Sequence, residues 1–165
     1  MRYTCLVLLA VLAFSLPSVR AADTLSVDIT VSLTVPLNVV YLDSSSTKSW
    51  ALSGKSLNSN YDSTLDNPIN INLQNNSGVD VSISAQVTSQ GNWLLEQQTG
   101  ASSAKDKFWI TATPALELTG TAQSFVNTLA TGTSTSSNKL ILHTPSSVST
   151  VNSGIITVQF VATAK

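Results

Sequence analysis

The segment that decides the fold lies near the N-terminus and reads Leu25-Ser-Val-Asp-Ile-Thr-Val-Ser-Leu-Thr-Val-Pro-Leu-Asn-Val-Val-Tyr41. Its odd-numbered positions are all apolar, and its even-numbered positions up to Thr34 are all polar. Because successive side chains of a β-strand point to opposite faces, this alternation predicts an extended strip with one apolar and one polar face. Pro36 has no amide hydrogen to donate to a ladder, so the strip is predicted to divide into strands at 24–34 and 37–42.

The composition of the whole chain indicates the same structural class. Of the 165 residues, 10% are charged and 6% are aromatic. Serine and threonine make up about 30% of residues 22–165. Such a chain is rich in residues that favour strands and turns, and it is poor in the helix formers Glu and Lys. We therefore predict an all-β protein of one domain.

The first 21 residues have the features of a secretory signal peptide. Arg2 provides a positive start, residues 6–16 are apolar, and Val19-Arg-Ala21 places small residues where a signal peptidase cuts. The apolar run is shorter than the roughly 20 residues that cross a bilayer. Cys5, the only cysteine, lies in this leader, so the exported chain is predicted to contain no disulfide.

The charge balance excludes one functional class. The leader contains both arginines and no acidic residue, so its removal changes the formal charge from −1 to −3. A protein that binds nucleic acid by neutralising phosphates would need a basic surface instead. The predicted organisation is a signal peptide at 1–21, an N-terminal extension at 22–35 and a β-sandwich domain at 36–165.

Further strands are predicted from shorter segments. The alternation at 69–74 and 79–87, with a turn at Asn75-Asn-Ser-Gly78, predicts a hairpin. Residues 43–67 are polar and predict a long connection with room for one short strand, whereas residues 121–129 fit either a strand or a helical turn. This spacing of short strands predicts an immunoglobulin-like β-sandwich. The remaining predicted strands are 93–95, 108–113, 116–119, 139–143 and 155–164.

Few residues are suited to catalysis or metal binding. His143 is the only histidine, so any Ser-His-Asp site would have to use it, and a structural imidazole is the favoured interpretation. One histidine and no cysteine outside the leader exclude a metal site of the His/Cys type. Asn58, Asn60 and Asp62 alternate like calcium ligands but lack the glycine and glutamate of a calcium loop, so a polar turn is favoured. We predict no enzymatic activity, no cofactor and no metal.

Two other features have a structural and a functional interpretation. Trp50, Trp93 and Trp109 would suit a platform for stacking on carbohydrate, but large aromatic side chains in a small sandwich usually fill the core, and that interpretation is favoured. Asn75-Asn-Ser77 is a glycosylation sequon, yet Gly78 and the flanking strands already explain it as a turn.

The amphipathic strip itself leaves two hypotheses. In the first, residues 24–34 pair within their own sandwich. In the second, they leave their own fold and insert into an open groove of the next molecule, with Leu25, Val27, Ile29, Val31 and Leu33 in successive apolar pockets. Such a contact does not close on itself, so its repetition would build a fibre.

Several segments resemble the alpha-type major pilins of the chaperone–usher pathway, the subunits of colonisation-factor fimbriae. In that family, an Ile-Thr-Val donor strand is followed by a proline and a short apolar alternation. Here this pattern is Asp28-Ile-Thr-Val31 followed by Val35-Pro-Leu-Asn-Val39. Similar segments continue along the chain, at 71–83, Leu118-Thr-Gly-Thr-Ala-Gln123, Lys139-Leu-Ile-Leu142, Thr144-Pro145 and 153–164.

The resemblance implies an incomplete immunoglobulin-like sandwich that is completed by the N-terminal donor strand of a neighbour, with Pro36 at the hinge. It also implies a periplasmic chaperone, an outer-membrane usher and other copies of the chain as partners, and a place on the cell surface in an adhesive fimbria with a host or surface receptor. Val151-Asn-Ser-Gly154 lacks the tyrosine that the family often has before its last strand. A secreted sandwich of another kind, either a biofilm-matrix filament protein or a module that binds carbohydrate or protein, remains the alternative.

Overall fold

The computed structural model describes residues 24–34, 37–96, 105–113, 116–149 and 155–165. These residues form strands, turns and irregular segments without any helix, so the described part of the chain contains no helix that could cross a membrane. The predicted all-β class is confirmed. The leader and the hinge residue Pro36 lie outside the described residues.

Twelve strands occur in the described residues, and each is numbered by its order along the chain. They are β1 (Thr24–Thr34), β2 (Val39–Tyr41), β3 (Thr47–Ser56), β4 (Asn60–Asp62), β5 (Leu73–Asn75), β6 (Val81–Ser89), β7 (Leu94–Leu95), β8 (Lys107–Ala112), β9 (Leu116–Glu117), β10 (Gln123–Leu129), β11 (Leu140–His143) and β12 (Ile155–Ala164).

The large sheet contains five strands in the order β10-β6-β12-β1-β3. The first strand of the described residues therefore lies inside this sheet and not at its edge. It pairs in parallel with β12, the last strand, and antiparallel with β3. The prediction of an incomplete sandwich is wrong for the single chain, because β1 occupies the position that the prediction left open.

The small sheet has the order β4-β11-β8-β7, and β9 also pairs with β8. A separate two-stranded sheet joins β2 and β5. Apolar side chains from all three sheets belong to one buried cluster, for example Ile29 and Phe160 from the large sheet, Leu142 from the small sheet and Tyr41 from β2. Sheets that share one core in this way are consistent with the predicted sandwich.

Two sequence predictions about local structure are corrected. Residues 43–67, predicted to be mostly a connection, contain the ten-residue strand β3 as well as β4. The predicted hairpin at 69–87 does not form, because β5 pairs with β2 whereas β6 pairs with β10 and β12. The undecided segment at 121–129 contains the strand β10.

Candidate assembly site: the groove occupied by strand β1

The β1 groove is the space between β3 and β12 that β1 occupies in the large sheet. Leu25, Val27, Ile29 and Val31 each expose 2% or less of their surface and lie in the main core cluster. The backbone of Leu33 pairs with Phe160 of β12, but its side chain lies outside the described part of the structure. The sequence therefore identified the apolar face correctly for the four side chains that are described.

The walls of the β1 groove are equally apolar. On the β3 side, Ile29 lies opposite Trp50 and Val27 opposite Leu52. On the β12 side, the residues opposite Ile29 and Val31 are Ile156 and Val158. All four wall residues are 0–1% exposed: Trp50, Leu52, Ile156 and Val158. The groove is thus a continuous part of the core.

The burial of β1 is large on the scale of protein stability. Each fully buried aliphatic side chain contributes about 1.5–3 kcal/mol of transfer free energy, so the four described side chains contribute roughly 6–12 kcal/mol as an upper estimate. The net free energy of unfolding of an ordinary domain is about 5–15 kcal/mol. Without β1 or an equivalent strand, the fold would lose an amount comparable to its whole stability.

The opposite face of β1 carries polar side chains toward solvent. Ser26 and Asp28 are exposed, and Thr30 and Ser32 are half-buried. A strand with one dry, apolar face and one wet, polar face cannot shift by one residue in the groove, because such a shift would exchange the two faces. The alternation in the sequence therefore specifies which face of β1 points into the groove.

A buried tyrosine contacts the backbone of β1. The hydroxyl of Tyr41, on β2, donates a hydrogen bond to the carbonyl oxygen of Val31 at 3.3 Å. Tyr41 is fully buried, and burial together with the nearby Asp43 raises its pKa well above the ordinary value. The hydroxyl therefore remains protonated and donates to β1 in the position that this strand occupies.

Both outer edges of the large sheet are irregular. In β3, the register shifts opposite Leu25 and Val27, where Gly54 adopts a left-handed backbone with φ of 64°. In β10, the register with β6 shifts twice between Ser124 and Leu129. Bulged edges of this kind pair poorly with further strands. The β3 wall of the β1 groove is therefore interrupted opposite Leu25 and Val27, whereas the pairing of β1 with β12 keeps one register from Asp28 to Thr34.

His143 is engaged in a stacked cluster outside the main core. Its ring lies parallel to the indole of Trp109, with centroids 3.6 Å apart and an interplanar angle of 7°. Its Nδ1 donates a hydrogen bond to Oδ1 of Asn60, and its buried Nε2 has no partner. Burial lowers the pKa of His143, so the ring is neutral at neutral pH. This geometry fits the structural interpretation, because Nδ1 faces an amide and not the carboxylate of a catalytic triad.

The calcium-like spacing does not gather free oxygen ligands. Oδ1 of Asn60 accepts from His143, and the carboxylate of Asp62 accepts from Lys139 at 2.5 Å and from Thr64. Among the described residues, no group of three or more His, Cys, Asp or Glu side chains is placed to hold a metal ion. The polar-turn interpretation agrees with these contacts.

The three tryptophans do not form a common platform. Trp50 and Trp93 are buried in the main core and expose 2% or less of their surface, which confirms the core interpretation for both. Trp109 lies next to His143 and is 7% exposed. None of them therefore offers an open ring face for stacking on a sugar.

The side chain of Asn75, the asparagine that the sequon would modify, makes hydrogen bonds within the protein. Asn75 is fully buried, and its Nδ2 donates to the carbonyl oxygens of Val79 and Leu129 at 2.9 Å each. Its Oδ1 accepts from the backbone N–H of Ser77. The side chain closes the turn that follows β5, and it is not available for modification in the folded chain.

Sequence reasoning missed β3, the strand that forms one wall of the groove. Its only strongly buried side chains are Trp50 and Leu52, and Ser, Gly and Lys residues surround them. The spacing of Trp50 and Leu52 by two residues was the one signal available.

No family model matches the chain, and no characterised protein was found to match it either.

Proposed function

We propose that this chain is a structural subunit of an adhesive surface filament, exported across the inner membrane and assembled by exchange of β1 between copies. One observation carries the proposal: the first described strand occupies an interior position of the large sheet and buries four apolar side chains there.

The topology suits exchange. β1 is terminal in the described chain after the predicted leader, and it continues into the domain only at its C-terminal end. It can therefore leave the groove without any other segment having to unthread. Its departure exposes two strand ladders and an apolar trough, and the segment that fits this trough best is β1 of another copy. A chain that gives its strand to one neighbour and receives one from another extends into an open fibre.

The position of β1 in the single chain corrects one expectation. A pilin was expected to leave residues 24–34 unpaired when no neighbour is present, and this was wrong. The physical reason is the effective concentration of a tethered strand, which favours insertion into the groove of the same chain when no other copy is available. In our proposal, the closed chain is the unassembled form, and assembly replaces the intramolecular strand by an intermolecular one.

Partners follow from the state in which the groove is empty. An open groove presents unpaired backbone groups and apolar surface, which another protein can cover by adding a strand. A periplasmic chaperone would supply such a strand during export, and an outer-membrane usher would bring successive subunits together. A host or surface receptor is the further partner of an adhesive filament.

One observation favours the alternative function. With β1 in place, the fold is self-contained, as expected of a secreted sandwich that binds carbohydrate or protein as a monomer. The two functions differ in whether β1 of one chain ever occupies the groove of another chain.

Engineered disulfides test that difference directly. Thr30 of β1 lies opposite Ser49 of β3. Directly opposite residues in antiparallel strands have Cα atoms about 4.5–5.5 Å apart, within the roughly 4.4–6.8 Å that a disulfide spans. Because Thr30 is near the middle of β1, it remains close to the same part of β3 if the exchanged strand runs in the opposite direction. Cys5, in the predicted leader, is the only native cysteine.

The two substitutions are placed in separate chains. Cells that express Thr30→Cys and Ser49→Cys chains with different tags should yield a disulfide-linked pair carrying both tags, and electron microscopy should show filaments. Chains with Thr30→Cys alone serve as the control for nonspecific coupling. If only the double variant in one chain forms the disulfide, and cells that produce the protein show no filaments, the exchange proposal is wrong and the monomeric module is supported.

A further inference from the structure

A pocket lies between two loops beside the small sheet. It has a volume of about 390 Å³, at the lower end of the range of pockets that bind small molecules. One loop leads from β4 to β5, and the other leads into β11. The lining residues are Thr64, Pro68, Ile69, Asn70, Asn72, Ser137 and Asn138.

The hydrogen bonds of the loops leave amide donors free at this pocket. Oδ1 of Asn70 accepts from the backbone N–H of Asn72 at 2.9 Å, and Oδ1 of Asn72 accepts from the backbone N–H of Asn138 at 2.8 Å. Within the described residues, neither Asn70 nor Asn72 has a partner for its Nδ2. The acceptor oxygen of Asn70 thus stabilises its own loop and that of Asn72 joins the two loops, whereas the donor side of both amides remains available to a ligand.

The charges close to the pocket are neutralised by one another. Lys139, which follows Asn138, pairs with Asp62 at 2.5 Å. Lys55 pairs with Asp66 at 3.0 Å, in the turn that follows Thr64. No lining residue carries a charge. The electrostatic environment therefore suits a neutral ligand, because a charged ligand would find no opposite charge free to pair with it.

The pocket also has an apolar side and an unusual backbone. Pro68 and Ile69 contribute apolar surface. Asn67 and Ser137, on the two loops, adopt left-handed backbone conformations with φ of 54° and 61°. Ser44, Asn58 and Asp106, elsewhere in the described residues, adopt the same conformation, so this backbone shapes the two loops and does not by itself mark a binding site.

We infer that this pocket binds one residue of a neutral saccharide. A pyranose ring presents hydroxyl oxygens at its rim, which accept hydrogen bonds from amide donors, and C–H groups on its faces, which pack on apolar side chains. An extended peptide is less suited, because it needs a row of free backbone groups, and here the backbone groups of Asn72 and Asn138 are already hydrogen-bonded. The inference does not depend on exchange of β1.

The test is a titration of the isotopically labelled exported chain, followed by NMR of its asparagine side-chain amides. The probes are the methyl glycosides of mannose, galactose, glucose, fucose, N-acetylglucosamine and N-acetylgalactosamine. At least one of them should shift the Nδ2 resonances of Asn70 and Asn72 in a saturable way in the millimolar range. Glucuronic acid and the neutral peptide acetyl-alanine-methylamide are the comparison ligands.

Two variants separate binding from folding. Asn70→Asp retains the acceptor that holds the N–H of Asn72 but removes the free donor, so affinity should fall at least about tenfold. Asn76→Asp, an exposed position on another loop, is the matched control and should bind normally. Ser137→Gly removes the hydroxymethyl side chain and relieves the left-handed strain, so it should weaken binding in a fully folded chain.

The inference is overturned if no neutral glycoside shifts these resonances, if the peptide shifts them and the sugars do not, or if Asn70→Asp and Asn76→Asp bind sugars equally well. Formation of the mixed-tag disulfide by chains carrying Asn70→Asp shows that assembly is unaffected. A failure of sugar binding is therefore distinguishable from a failure of strand exchange.

Discussion

The two main sheets of this protein are held together in different ways. The five strands of the large sheet contribute only apolar side chains to the set of buried residues. The buried polar side chains all belong to the small sheet, the two-stranded sheet or the loops next to them, namely Ser63, Asn75, Asn138, His143 and Thr144. Burial of hydrocarbon is nondirectional, so any strand with the same apolar row could fill the same place in the large sheet. Hydrogen bonds of buried polar groups are directional and fix particular partners.

The largest effect is expected from a charge on the dry face of β1. Ile29→Asp would bury an unpaired carboxylate, with an expected loss of more than about 4 kcal/mol and failure of the chain to fold or assemble. Thr30→Asp, on the wet face, should cost about 1 kcal/mol or less. Soluble yield and urea denaturation measure both. Equal losses would show that the two faces of β1 are assigned wrongly.

The next largest effect should come from a buried hydroxyl beside the small sheet. The hydroxyl oxygen of Ser63 accepts a hydrogen bond from the buried backbone N–H of Leu140 at 2.9 Å. Ser63→Ala leaves that N–H without an acceptor and should lower the free energy of unfolding by about 1–3 kcal/mol. Ser53→Ala, exposed on β3, should change it by about 0.5 kcal/mol or less. If both variants denature at the same urea concentration, polar bonding does not distinguish the two sheets.

A smaller effect is expected at the bulged edge of the large sheet. Gly54 has φ of 64° and no atom within 4 Å of an added Cβ, so Gly54→Ala should cost about 1–2 kcal/mol through backbone strain alone. Gly120 also has open space but no left-handed backbone, and Gly120→Ala should be neutral or stabilising by up to about 1 kcal/mol. Thermal denaturation compares the two. Equal melting temperatures would argue against the bulge.

The smallest effect concerns pH and should be confined to the small sheet. Burial lowers the pKa of His143 below its ordinary value of 6.5. Below pH 6.5, the unfolded chain binds a proton on this imidazole that the folded chain does not bind. The contribution of His143 to the free energy of unfolding is therefore fully present above pH 6.5, and it declines as the pH falls toward the pKa of the folded state. His143→Gln cannot titrate and should show a flatter dependence of the unfolding free energy on pH. The same slope in both proteins would mean that other groups cause it.

The individual strands were largely predictable, but their partners were not. The bounds predicted for β1 and β12, 24–34 and 155–164, agree with the structure. β3 was missed because its sequence contains little apolar alternation, and its pairing partner is the conspicuous strand β1. The hairpin at 69–87 was predicted wrongly because two adjacent alternating segments look alike whether they pair with each other or with distant strands.

The candidate site shows the same contrast between local features, which the sequence predicts, and contacts between distant segments, which it does not. The apolar row from Leu25 to Val31 was identified from alternation alone, since the period of two is a local property of a strand. The loop pocket with Asn70, Asn72 and Asn138 was not identified, because its residues come from two segments that only the fold brings together. Asn75 was recognised as part of a turn, but its buried bond to Leu129 depends on a strand more than fifty residues away.

By itself, the sequence determined the all-β class and which face of β1 would be dry, because solvent exposure on a strand alternates from one residue to the next. Only the tertiary structure decided that β1 lies between β3 and β12 of its own chain. The physical reason is that every strand presents the same backbone donors and acceptors whatever its sequence, so hydrogen bonding alone does not select a partner. The choice of partner is therefore made by the burial of the whole core and by which strands are within reach.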